Sequence, residues 1–514
     1  MNELLKTLTF VGAALLLTGA AFYETRDRSQ KSARFDDQGK RFFPEFEDPL
    51  ACTDLEVVSF DPSTATATRF RVMFKDKKWV IPSHNDYPAD ARDRLSKTAA
   101  AVMDLTKDII LSDDVKDQEA MAVIDPLDAK TTTIQGRGKR VTLRDATEKV
   151  LADFVIGNEI KGADRKEGAS LRYVRVPDQK RTYGVNVKAD LSTRFADWIE
   201  TNLLKLDTGK VRRVVFDNYK LQEDRDARGS FLKVVRGDKV AIERKDSTGP
   251  WTMAGIPPDK EVNDEKLRSL TDALGDLKIV GVRPKPPGLK DPNDPGLKLT
   301  LPIVASLQSK GFFMTRQGLF ADQGDVIVTT DDGVVYTLRY GGPLFASGDE
   351  LTAGIPDGAE KKDEATKAAT KKSEGTQESR YLIVTVSFDP TIVPKPEKAG
   401  EKDAAKPADP SIIPDDPFAP DPNDPKYLAD QKAAEDKAKR DQADYEKKLA
   451  DGQKRVKDLT DRFGPWYYVT PVESFNQINF DTSILIKPKG PAGAPPMAPP
   501  TGFPGMSGFP QAHP

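Results

Sequence analysis

The sequence predicts an α+β fold made of two tandem copies of one hairpin–helix–antiparallel-strand unit. Three observations support this prediction. Short apolar runs alternate with turn residues, a helical spacing of leucines follows each opening hairpin, and the same order of signals occurs twice. With 514 residues, the chain is long enough for two or three domains.

The internal repeat is the most informative of these observations. Each copy opens with a β-branched run, passes through a polar turn to a tryptophan, and continues past a proline into apolar residues spaced three or four apart. The intervals agree as well. Trp79 to Leu95 and Trp251 to Leu267 are both 16 residues, and Trp79 to Leu105 and Trp251 to Leu277 are both 26 residues.

The later part of each copy also contains matching strand signals. In the second copy, Asp332-Gly333 lies between alternating apolar residues, which is typical of a hairpin turn. The corresponding segments are 141–145 with 326–330, 154–157 with 338–341, and 172–176 with 380–384. Each copy is therefore expected to contain a hairpin, a helix and further antiparallel strands.

The repeat and the local composition together give the predicted boundaries. They are a signal anchor or transmembrane helix at 1–24, a juxtamembrane linker at 25–52, the first repeat at 53–205, the first part of the second repeat at 206–345, a disordered insertion at 346–379, a strand of the second repeat at 380–389, a Pro/Asp-rich linker at 390–425, a long charged helix at 426–463, a returning strand segment at 464–486, and a disordered Pro/Gly/Met tail at 487–514.

An uncharged segment at residues 7–23 predicts insertion into the membrane. As a helix it would span about 26 Å, near the lower limit for a hydrocarbon core of about 30 Å. We expect a single-pass signal anchor in the cell membrane, with the bulk of the chain extracytoplasmic, in the periplasm. A cleaved signal peptide with Gly19 and Ala21 before the cut is a second interpretation. Basic residues at 26–34 favour a third, a cytoplasmic body.

The long charged helix carries an apolar stripe in its later part. The stripe consists of Tyr445, Leu449, Val456, Leu459 and Phe463. We expect this stripe to pack on the body of the same protein, and a coiled coil with a partner is the alternative.

Histidine and cysteine are too scarce for most catalytic and metal sites. The chain has two histidines, His84 and His513, and one cysteine, Cys52. These counts exclude zinc sites built from Cys and His, and they leave only His84 for triad chemistry. His84 is expected to be a polar loop residue. Cys52 is expected to be a small buried side chain rather than a lipidated cysteine.

Signals for phosphate, calcium and nucleic acid are weak. The basic, glycine-containing stretch 135–140 lacks the spacing of a phosphate-binding loop and fits a hairpin turn better. Asp-Pro-Asn-Asp-Pro occurs at 291–295 and at 421–425, close to Asp415 and Asp416, but its prolines favour solvated turns over a calcium loop. The net charge of −3 gives no general attraction to nucleic acid.

We therefore predict no catalytic residues, no cofactor and no metal ion. Trp79 and Trp251 occupy equivalent positions in the two copies and are expected to be core anchors rather than ligand-stacking rings. Because carboxylates are abundant, a hydrolase that uses them without histidine is the enzymatic alternative.

Several segments of the first copy resemble a known bacterial family. They are Trp79-Val80-Ile81-Pro82, Tyr87-Pro88-Ala89-Asp90, Ile124-Asp125-Pro126, Phe154-Val155-Ile156-Gly157 and Arg172-Tyr173-Val174. Together they resemble the uncharacterised family called domain of unknown function 4340, most closely over residues 55–240. The resemblance implies one N-terminal membrane helix and, for some members, an accessory role in gliding-type ABC transport systems. It implies no catalytic residues.

These observations predict a non-enzymatic, single-pass envelope protein that binds or scaffolds a protein partner and is accessory to a transport system. A ligand- or polymer-binding module, either anchored or released, is the first alternative. The carboxylate-dependent hydrolase is the second.

Overall fold

The computed structural model describes residues 37–62, 65–161, 170–226, 229–292, 294, 296–354, 376–396 and 425–489, together with residues 14 and 18. The chain divides into two compact units. The first comprises Met1–Thr201, Val280–Arg283 and Ser347–Lys371, and the second comprises Asn202–Ile279, Pro284–Ala346 and Lys372–Pro514.

The elements up to residue 201 are mainly short antiparallel strands. They are β1 (Asp54–Asp61), β2 (Thr66–Lys75), β3 (Lys78–Ile81), β4 (Tyr87–Pro88), α1 (Arg92–Met103), β5 (Ile109–Ser112), α2 (Asp117–Ala120), β6 (Lys139–Arg144), β7 (Val150–Glu159), β8 (Ser170–Arg175) and β9 (Thr182–Val187).

The elements after residue 201 include longer strands and one long helix. They are β10 (Val211–Asp226), β11 (Gly229–Glu243), β12 (Thr252–Met253), β13 (Lys260–Val262), α3 (Asp264–Gly275), β14 (Gly281–Pro284), α4 (Leu301–Gln308), β15 (Phe312–Thr315), β16 (Gly318–Ala321), β17 (Asp325–Thr330), β18 (Val334–Ala346), α5 (Gly348–Thr352), β19 (Gln377–Phe388), α6 (Pro425–Phe463), β20 (Trp466–Pro471), α7 (Val472–Ile478) and β21 (Ile486–Pro488). The protein is therefore of the α+β class.

The first unit is built on an antiparallel sheet with the strand order β4-β3-β2-β1-β6-β7-β8-β9-β5. The strand register places Leu55 of β1 directly opposite Val72 of β2 and Leu143 of β6. Side chains at paired positions point to the same face of a sheet. All three side chains are fully buried. Each contributes roughly 1.5–3 kcal/mol to folding by leaving water, which fixes the register of the central strands.

Helix α1 packs against the segment that follows β9. Thr98 Oγ1 donates a hydrogen bond to the carbonyl of Asp190 (3.0 Å), and the Arg94 guanidinium lies 5.1 Å from the ring of Trp198. Trp198 is completely buried. The helical spacing predicted from Leu95 agrees with the structure, since the buried residues of α1 are Leu95, Thr98, Ala99 and Val102.

The second unit contains an antiparallel sheet in which seven strands follow the order β12-β11-β10-β17-β18-β19-β20. Helix α3 begins at an N-cap, Asn263, whose side chain accepts a hydrogen bond from the amide of Lys266. Its buried stripe is Leu267, Leu270, Thr271 and Leu274. A separate apolar cluster consists of Leu289, Ile303, Leu307, Phe312, Leu319, Ala321, Ile383 and Tyr467.

Helix α6 has 39 residues, and its C-terminal part packs on the second unit. Gly452 is buried against Phe388 at the end of β19, Arg455 forms an ion pair with Asp332 (2.8 Å), and Phe463 is buried beside Tyr468. The predicted stripe therefore does lie where the helix meets the protein's own body.

The prediction of a linker at 25–52 is wrong for residues 37–52, which are the described part of that segment. Phe42 and Phe46 are buried there, and the amide of Gly39 donates to the carbonyl of Lys107 (2.8 Å). Burial of two phenylalanines outweighs the polar character of the segment. Trp79 and Trp251 are only half-buried, so their prediction as core anchors is also wrong.

Other predicted boundaries differ from the structure at their edges. The segment 464–486, predicted as a returning strand, contains β20, then α7 and the start of β21. The insertion predicted at 346–379 includes α5 and the first residues of β19, and residues 355–375 lie outside the described part.

The remaining predictions fall mostly outside the described residues. Val393, within the predicted linker at 390–425, is buried, while 397–424 are not described. Of the predicted tail at 487–514, residues 487–489 are described and 490–514 are not.

The predicted membrane segment at 1–24 also lies outside the described part, apart from residues 14 and 18. No helix within the described part of the chain is both long enough and apolar enough to cross a membrane.

Candidate functional site

Three places in the described part of the chain combine polar groups with burial or concavity. The first surrounds His84 in the first unit. The second is a buried polar cluster on the sheet of the second unit, and the third is a groove between α3 and α7.

His84 lies in the turn after β3 and is 3% exposed. Its ring stacks on Phe195 with centroids 4.3 Å apart. Nδ1 lies 3.1 Å from Ser83 Oγ, and Nε2 lies 2.9 Å from Thr352 Oγ1. Burial, reinforced by the nearby charge of Arg283, lowers the pKa of His84 to about 4. His84 therefore lies in a loop, as predicted, but it is a buried, neutral imidazole that is held by two hydroxyl groups.

The buried polar cluster contains a lysine, Lys285. Its Nζ is buried without a hydrogen-bond partner among the described residues and lies 5.9 Å from the ring of Tyr467. Burial lowers the pKa of Lys285 to about 7; the negative charge of Asp291 opposes this effect and the positive charge of Arg339 adds to it. A buried amine that is partly neutral at pH 7 can act as a nucleophile. Lys285 is not among the residues that line the groove between α3 and α7, so it does not face a ligand bound there.

A buried carboxylate lies in the same unit as Lys285. Asp325 accepts a hydrogen bond from the hydroxyl of Tyr219 (2.7 Å) and pairs with Arg339 Nε (3.1 Å). The amide of Ala321 donates to the same tyrosine oxygen (3.0 Å). Burial raises the pKa of Asp325, and Arg339 and Tyr219 oppose that effect. These contacts tie β10, β17 and β18 together, which is a structural role for the carboxylate.

The groove lies between α3 and α7 and has a volume of about 500 Å³, within the range of small-ligand sites. It combines apolar and polar side chains. The apolar members are Leu270, Ala273, Phe480 and Ile484, and the polar members are Lys266, Ser269, Asp272, Asp276, Asn476 and Gln477. The helical spacing of Leu267 and Leu270 predicted α3, but nothing in the sequence indicated that α7 would lie beside it.

Two carboxylates line the groove, Asp272 in the last turn of α3 and Asp276 at its C-cap, four residues apart. Both are exposed, and Asp276 pairs with Lys278 (3.1 Å). A hydrolytic pair normally places one carboxyl group in a shielded setting that keeps it protonated. Asp272 and Asp276 are both exposed and Asp276 is paired with Lys278, so neither carboxyl group is shielded in this way.

Cys52 is buried and free, as the sequence suggested. Its Sγ lies 3.5 Å from the carbonyl oxygen of Asp54. Burial raises the pKa of Cys52 to about 12, so the thiol is unreactive at neutral pH.

The glycine-containing stretch 135–140 is not the hairpin turn that we predicted. It runs beside Ile124, whose amide donates to the carbonyl of Gly136 and whose carbonyl accepts from the amide of Gly138. The Arg137 guanidinium fixes this loop by donating to backbone carbonyls at residues 125, 126, 128, 131 and 133. The basic side chain is therefore used inside the fold and is not offered to a phosphate.

The aspartate-rich segments offer no metal centre in the part that can be described. Asp291 and Asp294 lie in a turn in which the amide of Asp294 donates to the carbonyl of Asp291 (3.1 Å). The second copy of the motif at 421–424 and the nearby Asp415 and Asp416 lie outside the described residues. Within the described residues, no three His, Cys, Asp or Glu side chains are grouped to hold a metal ion.

Comparison with known proteins gives one match. Residues 79–298 match the model of a family described as a domain of unknown function, DUF4340. No curated protein and no solved structure matches the chain. The matched segment includes both His84 and Lys285.

Proposed function

We propose that this chain, whose residues 79–298 match the model of the domain-of-unknown-function 4340 family, is a non-enzymatic, membrane-anchored envelope protein that binds or scaffolds a protein partner. The anchor is the apolar segment 7–23, and the bulk of the chain is extracytoplasmic. The resemblance noted above makes an accessory role in a transport system the setting that we favour.

The observation that carries this proposal is the exposed part of helix α6, Lys432–Lys448, which we call the arm. Between Lys432 and Lys448 every side chain is exposed except those of Asp436, Ala438 and Tyr445, which are half-buried. The contacts of this helix with the second unit that are described above lie at Gly452, Arg455 and Phe463, on the C-terminal side of the arm.

The arm has a sequence that stabilises a helix in water. Acidic residues stand four positions before basic ones, as in Glu435 and Lys439, and in Asp444 and Lys448. Each such pair adds about 0.2–0.5 kcal/mol to an isolated helix. A helix that is polar on all sides is suited to spanning solvent, so it can present a binding surface away from the sheet.

The arm can be tested by site-specific photo-crosslinking in intact cells. We expect a photoreactive amino acid at Ala434 to give a discrete cross-linked product that mass spectrometry identifies as a protein. The matched control is the same amino acid at Val150, which is 50% exposed in the first unit. The same cross-linked product at Ala434 and Val150, or no product above background at Ala434, would contradict the proposal.

A ligand- or polymer-binding module is the second candidate, and the groove between α3 and α7 favours it. Filling the groove with Ala273→Trp should then abolish co-sedimentation with isolated cell-wall polymer, while Ser247→Trp on an exposed turn should leave it unchanged. Equal co-sedimentation of both variants would exclude the groove as the binding site.

We also infer that the two units are copies of one ancestral fold. Two features support this inference: the matched intervals in the sequence and the strand orders. The order β3-β2-β1-β6-β7-β8-β9 in the first unit corresponds strand for strand, in chain order, to β12-β11-β10-β17-β18-β19-β20 in the second. In each unit the first three strands form a meander, and the four later strands extend the sheet from the free edge of the first strand.

A further inference from the structure

The turn between β2 and β3 carries an unusual combination of side chains. We call residues Phe74–Trp79 the tip hairpin. Asp76 and Lys77 have φ values of +51° and +63°, as in the two-residue turns that match the twist of a hairpin. Phe74 and Trp79 face each other across the strands, with ring centroids 5.3 Å apart. The aromatic pair is therefore held on a rigid support.

The tip hairpin is exposed and basic. Phe74 is 45% exposed and Trp79 is half-buried. Its three lysines are exposed; Lys75 pairs with Asp86 (2.8 Å), whereas Lys77 and Lys78 form no ion pair with any described residue. The hairpin thus carries three lysines and one carboxylate, Asp76, and its two unpaired lysines are next to the aromatic residues in the sequence.

This combination matches the chemistry of an anionic membrane surface. Aromatic rings with one apolar and one solvated side prefer the level of the lipid headgroups. A lysine near an anionic lipid surface contributes about 1 kcal/mol through electrostatic attraction. We propose that the tip hairpin contacts anionic lipid headgroups, with Phe74 and Trp79 at the interface and Lys77 and Lys78 beside the phosphates.

The position of the tip hairpin in the fold is compatible with this contact. The amide of Phe74 donates to the carbonyl of Thr53 (2.8 Å), so the hairpin lies at the end of the sheet where the chain enters β1. Between Tyr23, at the end of the proposed anchor, and Asp37, the chain can extend at most roughly 50 Å. The inference rests on the proposed anchoring, which limits how far the first unit can move from the bilayer.

The second unit supplies a control within the same chain. The turn after β11 in the second unit has Asp246, Ser247 and Thr248 at its tip, and Asp246 Oδ1 accepts hydrogen bonds from the amides of Thr248 and Gly249. The tryptophan that follows, Trp251, is covered by the Arg244 guanidinium at 4.7 Å. This turn lacks the aromatic pair, and it carries a single lysine, Lys245, next to Asp246.

The experiment uses the full chain in nanodiscs of phosphatidylcholine alone or mixed with phosphatidylglycerol. An environment-sensitive fluorophore is attached at Asp76→Cys or, as the matched control, at Ser247→Cys. Cys52 can stay in place because it is buried, and the chain without an added cysteine gives its background labelling. Spin-labelled lipids serve as depth-dependent quenchers.

We expect a blue shift and quenching at position 76 in anionic nanodiscs, weakening as salt is added. Both signals should be lost with Lys77→Gln and Lys78→Gln together, and reduced with Phe74→Ser. Equal spectra at positions 76 and 247 would overturn the lipid contact while leaving the anchor intact. If the full chain does not co-elute with nanodiscs at all, the proposed anchoring fails and this inference fails with it.

Discussion

Lys285 and His84 are both buried where water cannot solvate their charged forms. The pKa of each group in the folded protein is therefore lowered, to about 7 for Lys285 and to about 4 for His84. Because the unfolded chain binds a proton more readily at both positions, folding becomes coupled to pH. The two groups act in different pH windows, so they can be tested separately.

His84 should make the protein less stable in mild acid. In the unfolded chain it takes up a proton near pH 6.5, whereas the folded chain resists protonation down to about pH 4. Stability is complete above pH 6.5 and should fall by about 3 kcal/mol as the pH drops through this window. Urea unfolding at several pH values measures this loss.

Variants separate His84 from other acid effects. His84→Phe should remove most of the decrease in the free energy of unfolding between pH 6.5 and 4, whatever its effect on stability at pH 7. His513→Asn, at the other histidine, should leave the slope unchanged. A wild-type slope that persists in His84→Phe would show that other groups are responsible.

Lys285 should reduce stability at neutral pH. Its unfolded pKa is near 10.5 and its folded pKa is about 7, so stability should rise by about 4–5 kcal/mol between pH 7 and 10 or above. Lys285→Met keeps the length of the side chain and removes the charge. We expect this variant to unfold at a higher temperature than wild type at pH 7 and to show a flatter pH dependence.

The control for Lys285→Met is Lys290→Met, because Lys290 is exposed and pairs with Asp461 only at the surface. Lys290→Met should change the free energy of unfolding by no more than about 0.5 kcal/mol. A destabilised Lys285→Met variant at pH 7 would mean that the ammonium group has a partner that stabilises it.

At the scale of elements, the docking of α6 depends on a glycine. A Cβ atom at position 452 would lie 2.4 Å from Phe388 Cε2 and 2.7 Å from the carbonyl oxygen of Asp332. Helix propensity alone predicts that Gly452→Ala stabilises the helix by about 1 kcal/mol. Because the contact leaves no room, we expect a net destabilisation of about 1–3 kcal/mol instead.

Ala450→Gly is the matched variant for Gly452→Ala. Position 450 is exposed, so this change measures propensity alone and should cost about 1 kcal/mol. Chemical unfolding of both variants gives the comparison. If Gly452→Ala were the more stable protein, α6 would not pack as closely on Phe388 as the structure places it.

The sequence predicted those elements whose signal is local and periodic. The leucine spacing of α3 and the stripe that ends at Phe463 were both readable, because a helix buries every third or fourth residue. Trp198 was missed because it lies in a non-periodic segment after β9, where nothing marks a single aromatic residue as a core anchor. The groove was missed because α7 meets α3 across about 200 residues of sequence, and a contact of that kind leaves no pattern in either segment.

At the scale of the whole molecule, the chain is not divided at a single point. Val280–Arg283 and Ser347–Lys371 group with the first unit, although they follow the start of the second. Within that unit, the Arg283 guanidinium donates to the carbonyl of Leu351, and Gly281 leaves room for the carbonyl oxygen of the same residue. A division at one boundary near residue 205 could be expected from the sequence, but these returning segments could not.

The returning segment gives a prediction about dissection. A fragment that ends at residue 205 lacks Thr352 and leaves His84 Nε2 without its hydroxyl neighbour. Loss of that contact and of the packing around Leu351 should lower the unfolding temperature of the first unit relative to the same unit in the full chain. Hydrogen exchange of the amides of β2 and β3 in both proteins provides the measurement. Equal protection would show that the returning segments do not stabilise the first unit.

We propose that this chain is anchored in the membrane with its folded units outside the cytoplasm. Labelling of Ser247→Cys in intact spheroplasts with a membrane-impermeant maleimide tests it most directly, since position 247 is exposed and Cys52 is buried. We expect labelling before lysis, with the labelled chain remaining in the membrane fraction after alkaline washing. Labelling only after lysis, or a labelled chain in the soluble fraction, would contradict it.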